Sequence, residues 1–308
     1  MQNGGIAESA ATFAPCNICG SGEYREICGI TVSPFSAPSK LVRCKRCGFF
    51  YANPRHKKEV EEDYYRRRYH EDQQEGYWYK GRVDVFKRSL REMSKFVKKG
   101  RLIDVGCGRG YFMDLARSDG WEVNGVEISE SAACHAGQTL KLDVIKGGLK
   151  DAMFPAEYFD AATMWNVLDQ LYDPRANLAE LNRILKRGGY VFIRVSNGYF
   201  HLPLFRLCAG LKALFSNVDD SIFTFHLYSF DQDSIKRLLG SMGFSGVVVK
   251  TERMGVNVPD FVKAVGARME RPARKFFDIG SEIVYYCSLG KAVVSPSIFV
   301  IAKKEKNI

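Results

Sequence analysis

The hydrophobic rhythm of the chain changes character near residue 100. Upstream, residues 57–98 carry many charges and few glycines or prolines, and Phe86, Leu90, Met93 and Val97 recur at three- to four-residue spacing. That is the period of an amphipathic helix, and the stretch predicts two helices. Tyr64, Tyr65, Tyr69, Tyr77, Trp78 and Tyr79 are expected to pack between them or to cover a ligand. Downstream, short apolar runs at 102–105, 121–126, 143–145, 159–164, 190–195, 247–250 and 297–302 predict seven strands. Helical stretches separate them, at 111–118 and again from Asn177 to a Gly188-Gly189 stop. Strands alternating with helices predict an α/β fold whose mainly parallel sheet is covered on both faces and binds ligands at the carboxyl ends of its strands.

The first of those strands runs into the densest signal in the chain, Leu102-Ile-Asp-Val-Gly-Cys-Gly-Arg-Gly-Tyr-Phe112. Glycines at 106, 108 and 110 allow a tight turn and a close backbone approach to a ligand, which the N–H groups opening the next helix would face. A nucleotide-like molecule follows as the expectation. Glu127, about 20 residues beyond the turn, ends the second strand, where a carboxylate can accept hydrogen bonds from both ribose hydroxyls. Asp104 then separates two ligand classes. A carboxylate two residues before the glycines suits the ammonium end of a methionine moiety and opposes a pyrophosphate, so S-adenosylmethionine is favoured over a dinucleotide.

Composition changes the picture little: 46% hydrophobic and 26% charged residues describe an ordinary globular protein. The net charge of +10 admits nucleic acid, an anionic membrane or a phosphorylated substrate as partner, or simply a solvated surface, with positive residues concentrated at 66–68, 80–101 and 303–306. The first fifteen residues lack the basic start and apolar core of a signal peptide, so a reducing, cytoplasmic location is expected. No uninterrupted apolar run reaches the roughly 20 residues of a membrane span. The nearest, 283–302, is broken by Gly290, Lys291 and Pro296.

Cysteine spacing adds a second kind of chemistry. Cys16-Asn-Ile-Cys19-Gly20 and Cys44-Lys-Arg-Cys47-Gly48 are two knuckles separated by 24 residues. Two intervening residues let both thiolates of a knuckle reach one metal ion, and four sulfurs close a tetrahedral site with no open position, which makes it structural. Zinc is the first candidate and iron the alternative. Cys28, Cys107, Cys134, Cys208 and Cys287 show no paired spacing and are read as small core residues. The expected organisation is a disordered tail at 1–14, a four-cysteine module at 15–55, a helical linker or lid at 56–99, and a main domain at 100–308 with apolar insertions at 198–225 and 254–296.

Residues 100–250 resemble a class I S-adenosylmethionine-dependent methyltransferase of the broad group that includes the quinone-biosynthesis enzymes. The resemblance rests on Asp104-Val-Gly-Cys-Gly-Arg-Gly110, Glu127, the Phe159-Asp160 strand, the Arg-Ile-Leu-Lys-x-Gly-Gly turn and His226-Leu-Tyr-Ser-Phe230. It implies a Rossmann-like seven-stranded mixed sheet whose seventh strand, at 297–302, inserts antiparallel. The donor site is assigned to Asp104, Gly106, Cys107, Gly108, Gly110, Glu127, Ile128, Leu149, Trp165 and Asn166. The knuckles resemble the zinc-binding amino-terminal module of sugar C-methyltransferases that act on nucleotide-linked deoxysugars. Those enzymes carry a further carboxyl-terminal domain that this chain is too short to contain, so the sugar is not carried over. Two other departures stand out. Val167-Leu-Asp-Gln170 replaces the common Val-Leu-Glu-His, and Gly148 stands where the family often has an adenine-contacting aspartate.

Methyl transfer asks the protein to align donor and acceptor and to take a proton from a weak nucleophile. His226 is the first candidate base, because histidine titrates near neutrality and its family position faces the acceptor; Tyr228 and Asp169 are the others. The expected acceptor is a small molecule: a sugar, a quinone-like compound or a lipid-linked metabolite. Apolar residues at 199–215, with Arg206 and Lys212, would suit peripheral contact with an anionic membrane. An RNA methyltransferase and a non-catalytic S-adenosylmethionine-binding protein are the alternatives. Against the former, the fourth strand does not end in the Asn/Asp-Pro-Pro-Tyr/Phe motif of enzymes that methylate base nitrogens.

Overall fold

The structure is a computed structural model and describes residues 12–31, 39–68, 75–203, 226–252 and 267–308. Its main sheet is built from β4 (Arg101–Val105), β5 (Glu122–Glu127), β6 (Asp143–Lys146), β7 (Phe159–Trp165), β8 (Leu185–Ser196), β10 (Phe244–Glu252) and β11 (Ser297–Lys304). The order is β10-β11-β8-β7-β4-β5-β6, so β4 lies inside the sheet with β7 and β5 as parallel neighbours. β11 runs antiparallel to both β8 and β10, in the place expected of the seventh strand. The central strands are apolar on both faces: Leu102, Ile103, Ala161, Ala162, Phe192 and Ile193 are all fully buried.

The helices start where local chemistry dictates. The α3 helix (Tyr111–Ser118) leaves Gly110 and buries Phe112, Met113 and Ala116 against the sheet. This close seating needs Gly125 on β5, since a Cβ there would lie 2.6 Å from the Met113 sulfur. The α4 helix (Glu130–Cys134) is capped by the Ser129 hydroxyl, which accepts from Ala132 N–H. In α5 (Pro174–Ile184) the Asp173 carboxylate accepts from Ala176 N–H and a proline sits at the first turn. α6 (Gln232–Ser241) opens with a reciprocal Asp231–Ser234 capping box. Upstream, α1 (Lys58–Arg68) and α2 (Glu75–Met93) occupy the linker. The α2 helix lays Phe86, Leu90 and Met93 on the sheet and ends at Met93, so Val97 packs from the turn beyond it.

A second sheet was not foreseen. β1 (Tyr24–Thr31), β2 (Lys40–Cys44) and β3 (Phe50–Asn53) form an antiparallel meander in the cysteine module, and its fourth strand is β9 (Tyr228–Ser229) from the main domain. Phe49 packs on Phe230 with centroids 5.2 Å apart, and one apolar core runs through both units. Thr12 and Ala14, assigned to the tail, are tied to this sheet: Thr12 and Arg55 exchange backbone hydrogen bonds, and Ala14 N–H donates to Asn53.

Other expectations shift. β8 begins at Leu185 and continues through the glycines expected to precede it, with Gly188 in the left-handed region at φ 83°. Cys134 and Cys287 are exposed rather than core residues, because they lie on outward faces of their helices. Within the 254–296 insertion, α7 (Ala267–Cys287) exposes Phe276, Ile283 and Tyr286. Arg206, Lys212 and most of 199–215 lie outside the described residues. Among the described residues, no helix is long and apolar enough to cross a membrane.

Candidate functional site

The turn after β4 places all three glycines in left-handed conformations, at φ 67°, 55° and 83°. Gly106 and Gly110 also lack room: a Cβ would meet Val167 and Leu142 side-chain atoms, each at 2.6 Å. Gly106 and Cys107 N–H both donate to the Val126 carbonyl, which pins the turn to the end of β5. Directly beyond that carbonyl, Glu127 is buried and accepts Gly108 N–H on one oxygen (2.7 Å) and Ser129 N–H on the other (2.8 Å). Burial nevertheless lifts its pKa. Each oxygen keeps a lone pair, so ribose hydroxyls can still be accepted.

Asp104 is the unsatisfied group next to the glycine turn. It is 1% exposed; one oxygen accepts from the Thr163 hydroxyl at 2.6 Å, and the other is buried with no partner. Burial and the nearby Glu127 charge lift its pKa to about 8 against the opposing Thr163 bond. A half-satisfied buried carboxyl beside a glycine turn is completed by a cation, and an ammonium group supplies both charge and donors.

The remaining donor-site assignments spread around this pair. Leu149 is buried, Ile128 half-buried and Asn166, at φ 58°, closes the end of β7. Trp165 is held in the α2–α3 core by Phe112, with centroids 4.7 Å apart, and stacks on Phe299. Cys107 is buried, and burial together with Asp104 and Glu127 pushes its thiol pKa up, which keeps the sulfur protonated and poorly nucleophilic. Where Gly148 stands in place of the aspartate that the family resemblance implies, Asp151 folds back to accept Gly148 N–H at 2.8 Å.

The three candidate bases lie in one neighbourhood but differ in availability. His226 is half-buried, and its Nδ1 is sealed from solvent without a partner. Asp169 is fully buried; one oxygen accepts Ser196 N–H at 3.1 Å and the other has no partner. The Tyr228 hydroxyl is fully used: it donates to the Tyr172 carbonyl at 3.0 Å and accepts from the Arg55 guanidinium and the Asn17 amide. Burial raises its pKa further. Tyr228 therefore clamps the cysteine module to the main domain, with Arg55 also stacked 4.6 Å above the Tyr172 ring.

Three polar residues here were missed. His201 donates from Nε2 to the Pro296 carbonyl at 2.9 Å; burial, reinforced by nearby His226, lowers its pKa to about 4, so it stays neutral. Arg194, at the end of β8, donates to the Asn166 side-chain oxygen. Glu61 of α1 is buried near Arg55. His201 lies in an apolar segment, and Glu61 lies in a run of charged residues. For Arg194, a lone cation interrupting the apolar run Tyr-Val-Phe-Ile-Arg-Val was the available signal.

In the cysteine module, the sulfurs of Cys16, Cys19, Cys44 and Cys47 all lie within 4.8 Å of one another, with Cys16–Cys47 and Cys19–Cys44 at 3.5 Å. Metal–sulfur bonds of about 2.3 Å in a tetrahedron separate sulfurs by roughly 3.8 Å, so this cluster fits one thiolate-bound ion. Burial opposes ionisation of Cys44, but the N–H groups of Cys47 and Arg46 and the Cys19 side chain outweigh it and bring its pKa to about 7.

Comparison with known proteins bears on the family and the fold. Residues 77–249 match the family model described as a methyltransferase domain. A demethylmenaquinone methyltransferase from Staphylococcus saprophyticus is 31% identical over 193 residues, covering 55% of this chain and 80% of the relative. A ubiquinone biosynthesis O-methyltransferase from Vibrio atlanticus is 27% identical over 172 residues, covering 51% and 72%. Among solved structures, an S-adenosylmethionine-dependent methyltransferase from Thermotoga maritima, titled a possible histamine N-methyltransferase, superimposes with a TM-score of 0.51 at 18% identity. It covers 80% of this chain and 99% of its own. This last likeness is one of fold alone.

Proposed function

The chain belongs to the methyltransferase-domain family as a class I S-adenosylmethionine-dependent enzyme, and we propose that its acceptor is a small molecule bound between the donor site and the docked cysteine module. The observation that carries the donor half of this reading is the free, buried oxygen of Asp104 beside the glycine turn. S-adenosylmethionine supplies a methyl group already activated on a sulfonium. Asp104 accepts the donor ammonium, Glu127 accepts the ribose hydroxyls, and Ile128 and Leu149 flank the base. Asn166 ends β7 at the border between donor and acceptor.

His226 serves as the base that takes the acceptor proton. Its Nδ1 is sealed from solvent without a partner and lies near the neutral His201, and an imidazole nitrogen is the most common general base. Asp169 steadies this corner, since its carboxylate holds Ser196 N–H while its carbonyl accepts Tyr228 N–H. Cys16, Cys19, Cys44 and Cys47 hold a structural metal ion, with zinc the first candidate and iron the alternative for a closed set of four thiolates. The relatives named for quinone biosynthesis support a quinone-like or lipid-linked acceptor.

Incubating the protein with methyl-labelled S-adenosylmethionine and polar, lipid and RNA fractions of a cell extract tests the acceptor class. Label in a polar or lipid small molecule supports the proposal; label in RNA, or in no fraction, contradicts it. With the labelled acceptor in hand, His226→Gln is expected to lower turnover about 100-fold while leaving donor affinity within about twofold. Full activity in that variant would remove His226 from the mechanism.

A further inference from the structure

Asn166 closes β7 in the left-handed region, at φ 58°, a conformation that residues other than glycine seldom adopt. Two hydrogen bonds to Arg194, the β8 partner of Trp165, hold it there. Its backbone N–H donates to the Arg194 carbonyl at 2.8 Å, and its side-chain oxygen accepts from the Arg194 guanidinium. Burial brings the Arg194 pKa down only to about 10, so the guanidinium keeps its proton at neutral pH. A guanidinium donates and never accepts, so the carboxamide must turn its oxygen toward Arg194 and its NH2 group away. That NH2 group has no hydrogen-bond partner among the described residues, and Asn166 is only half-buried.

The residues that follow fix where this group sits. A Cβ at Gly106 would lie 2.6 Å from the Val167 side chain, so the glycine turn packs directly on the segment after β7. Two residues beyond Val167, the Asp169 carbonyl accepts Tyr228 N–H, which ties the same segment to β9. Asn166 therefore stands where the turn assigned to the donor meets the strand that follows His226. The chemistry of the transfer then selects the acceptor. A neutral amine has one lone pair and needs it to attack the methyl group, so N–H donors aimed at that nitrogen compete for the pair. An oxyanion has three, and it can accept from an amide and still attack.

Resting on the methyltransferase reading above, we propose that Asn166, held by Arg194, selects an acceptor that reacts as an oxyanion, a phenolate or an enolate, rather than an amine. Its NH2 group donates to the oxyanion, and Arg194 is the positioning residue that keeps the carboxamide turned that way. His226 takes the hydroxyl proton. The bond between methyl and sulfur breaks with its electron pair left on sulfur, which gives S-adenosylhomocysteine, and the new bond forms to the oxygen or to a carbon conjugated with it.

Two probes of matched shape test this, para-nitrophenol and para-nitroaniline, each titrated into protein saturated with S-adenosylhomocysteine and followed by its own absorbance. The native chain is expected to bind the phenol about tenfold more tightly than the aniline. Asn166→Gly keeps the left-handed backbone without the amide and should bring the two affinities within about twofold of each other. Arg194→Lys still donates to the carboxamide oxygen and should hold the native ratio within about twofold, whereas Arg194→Met frees the carboxamide to turn and should lower the ratio about fivefold. Absence of saturable phenol binding, no preference for the phenol in the native chain, or a ratio unchanged in Asn166→Gly overturns the proposal. Equal ratios in the two Arg194 variants overturn the positioning role. A fall in S-adenosylhomocysteine affinity in Asn166→Gly with the ratio unchanged would give the amide to the donor instead. Failure of the native chain to bind S-adenosylhomocysteine would overturn the donor reading on which the proposal rests.

Discussion

Glu61 is 2% exposed, and neither of its carboxylate oxygens has a hydrogen-bond partner. Burial lifts its pKa from 4.5 to about 8, with Arg55 pulling the other way. The folded protein thus keeps a proton that the unfolded chain releases above about pH 4.5, and this group erodes stability as pH rises from there through 8. Replacing it with Gln should leave stability unchanged at pH 4 and raise it by about 1–3 kcal/mol at pH 8.5, measured by denaturant unfolding at both values. No gain at pH 8.5 would mean that the carboxylate is solvated after all. Glu61 also marks a limit of sequence reading. Within Lys-Glu-Val-Glu-Glu-Asp it looks like part of a solvated charged face, and only tertiary packing buries it. Asp104 was legible because three glycines immediately after it fix the geometry, whereas nothing local to Glu61 does so.

Among the elements, those whose signal is local were legible and those defined by a distant partner were not. The α3 helix matches its expected span because Gly110 starts it and Asp119-Gly120 ends it, and β4, β5 and β7 follow from short, largely apolar runs within a few residues of their expected bounds. β9 is two residues long and has no periodicity of its own; it exists because β3 lies beside it. The same pairing makes the cysteine cluster matter to the main domain. The Tyr228 clamp, the Ala52 N–H bond to the Leu227 carbonyl and the Tyr228 N–H bond to the Asp169 carbonyl link the module to Tyr228 and Asp169, two of the three candidate bases. Cys44→Ser, or removal of the metal by a chelator, should therefore speed amide hydrogen exchange across 226–230 by at least about tenfold while leaving 102–105 and 161–164 protected. Equal protection at 226–230 with and without the metal site would show that the two units hold together without it.

For the whole molecule, alternating strands and helices were enough to foresee a mainly parallel sheet covered on both faces, because such a sheet admits few arrangements, while its antiparallel last member came only from the family resemblance. Joining two units through one apolar core was not foreseeable, since Phe49 and Phe230 are 181 positions apart and each reads as an ordinary core residue. The candidate site divides along the same line: the proposed donor half centres on one contiguous turn and Glu127, while the proposed acceptor half would draw on β7, β8, β9 and the cysteine module. Asp104, completed by an ammonium, is what we propose makes this end of the sheet an S-adenosylmethionine site. Isothermal titration of S-adenosylmethionine into the native chain and into Asp104→Asn between pH 6 and 7.5 tests it most directly. Because Asp104 must release its proton below a pKa of about 8, native affinity should climb by up to about tenfold per pH unit over this range. The variant should bind about 10- to 100-fold more weakly at pH 7.5 and show no such slope. Equal affinity in the two proteins, or a native affinity independent of pH, would contradict the account.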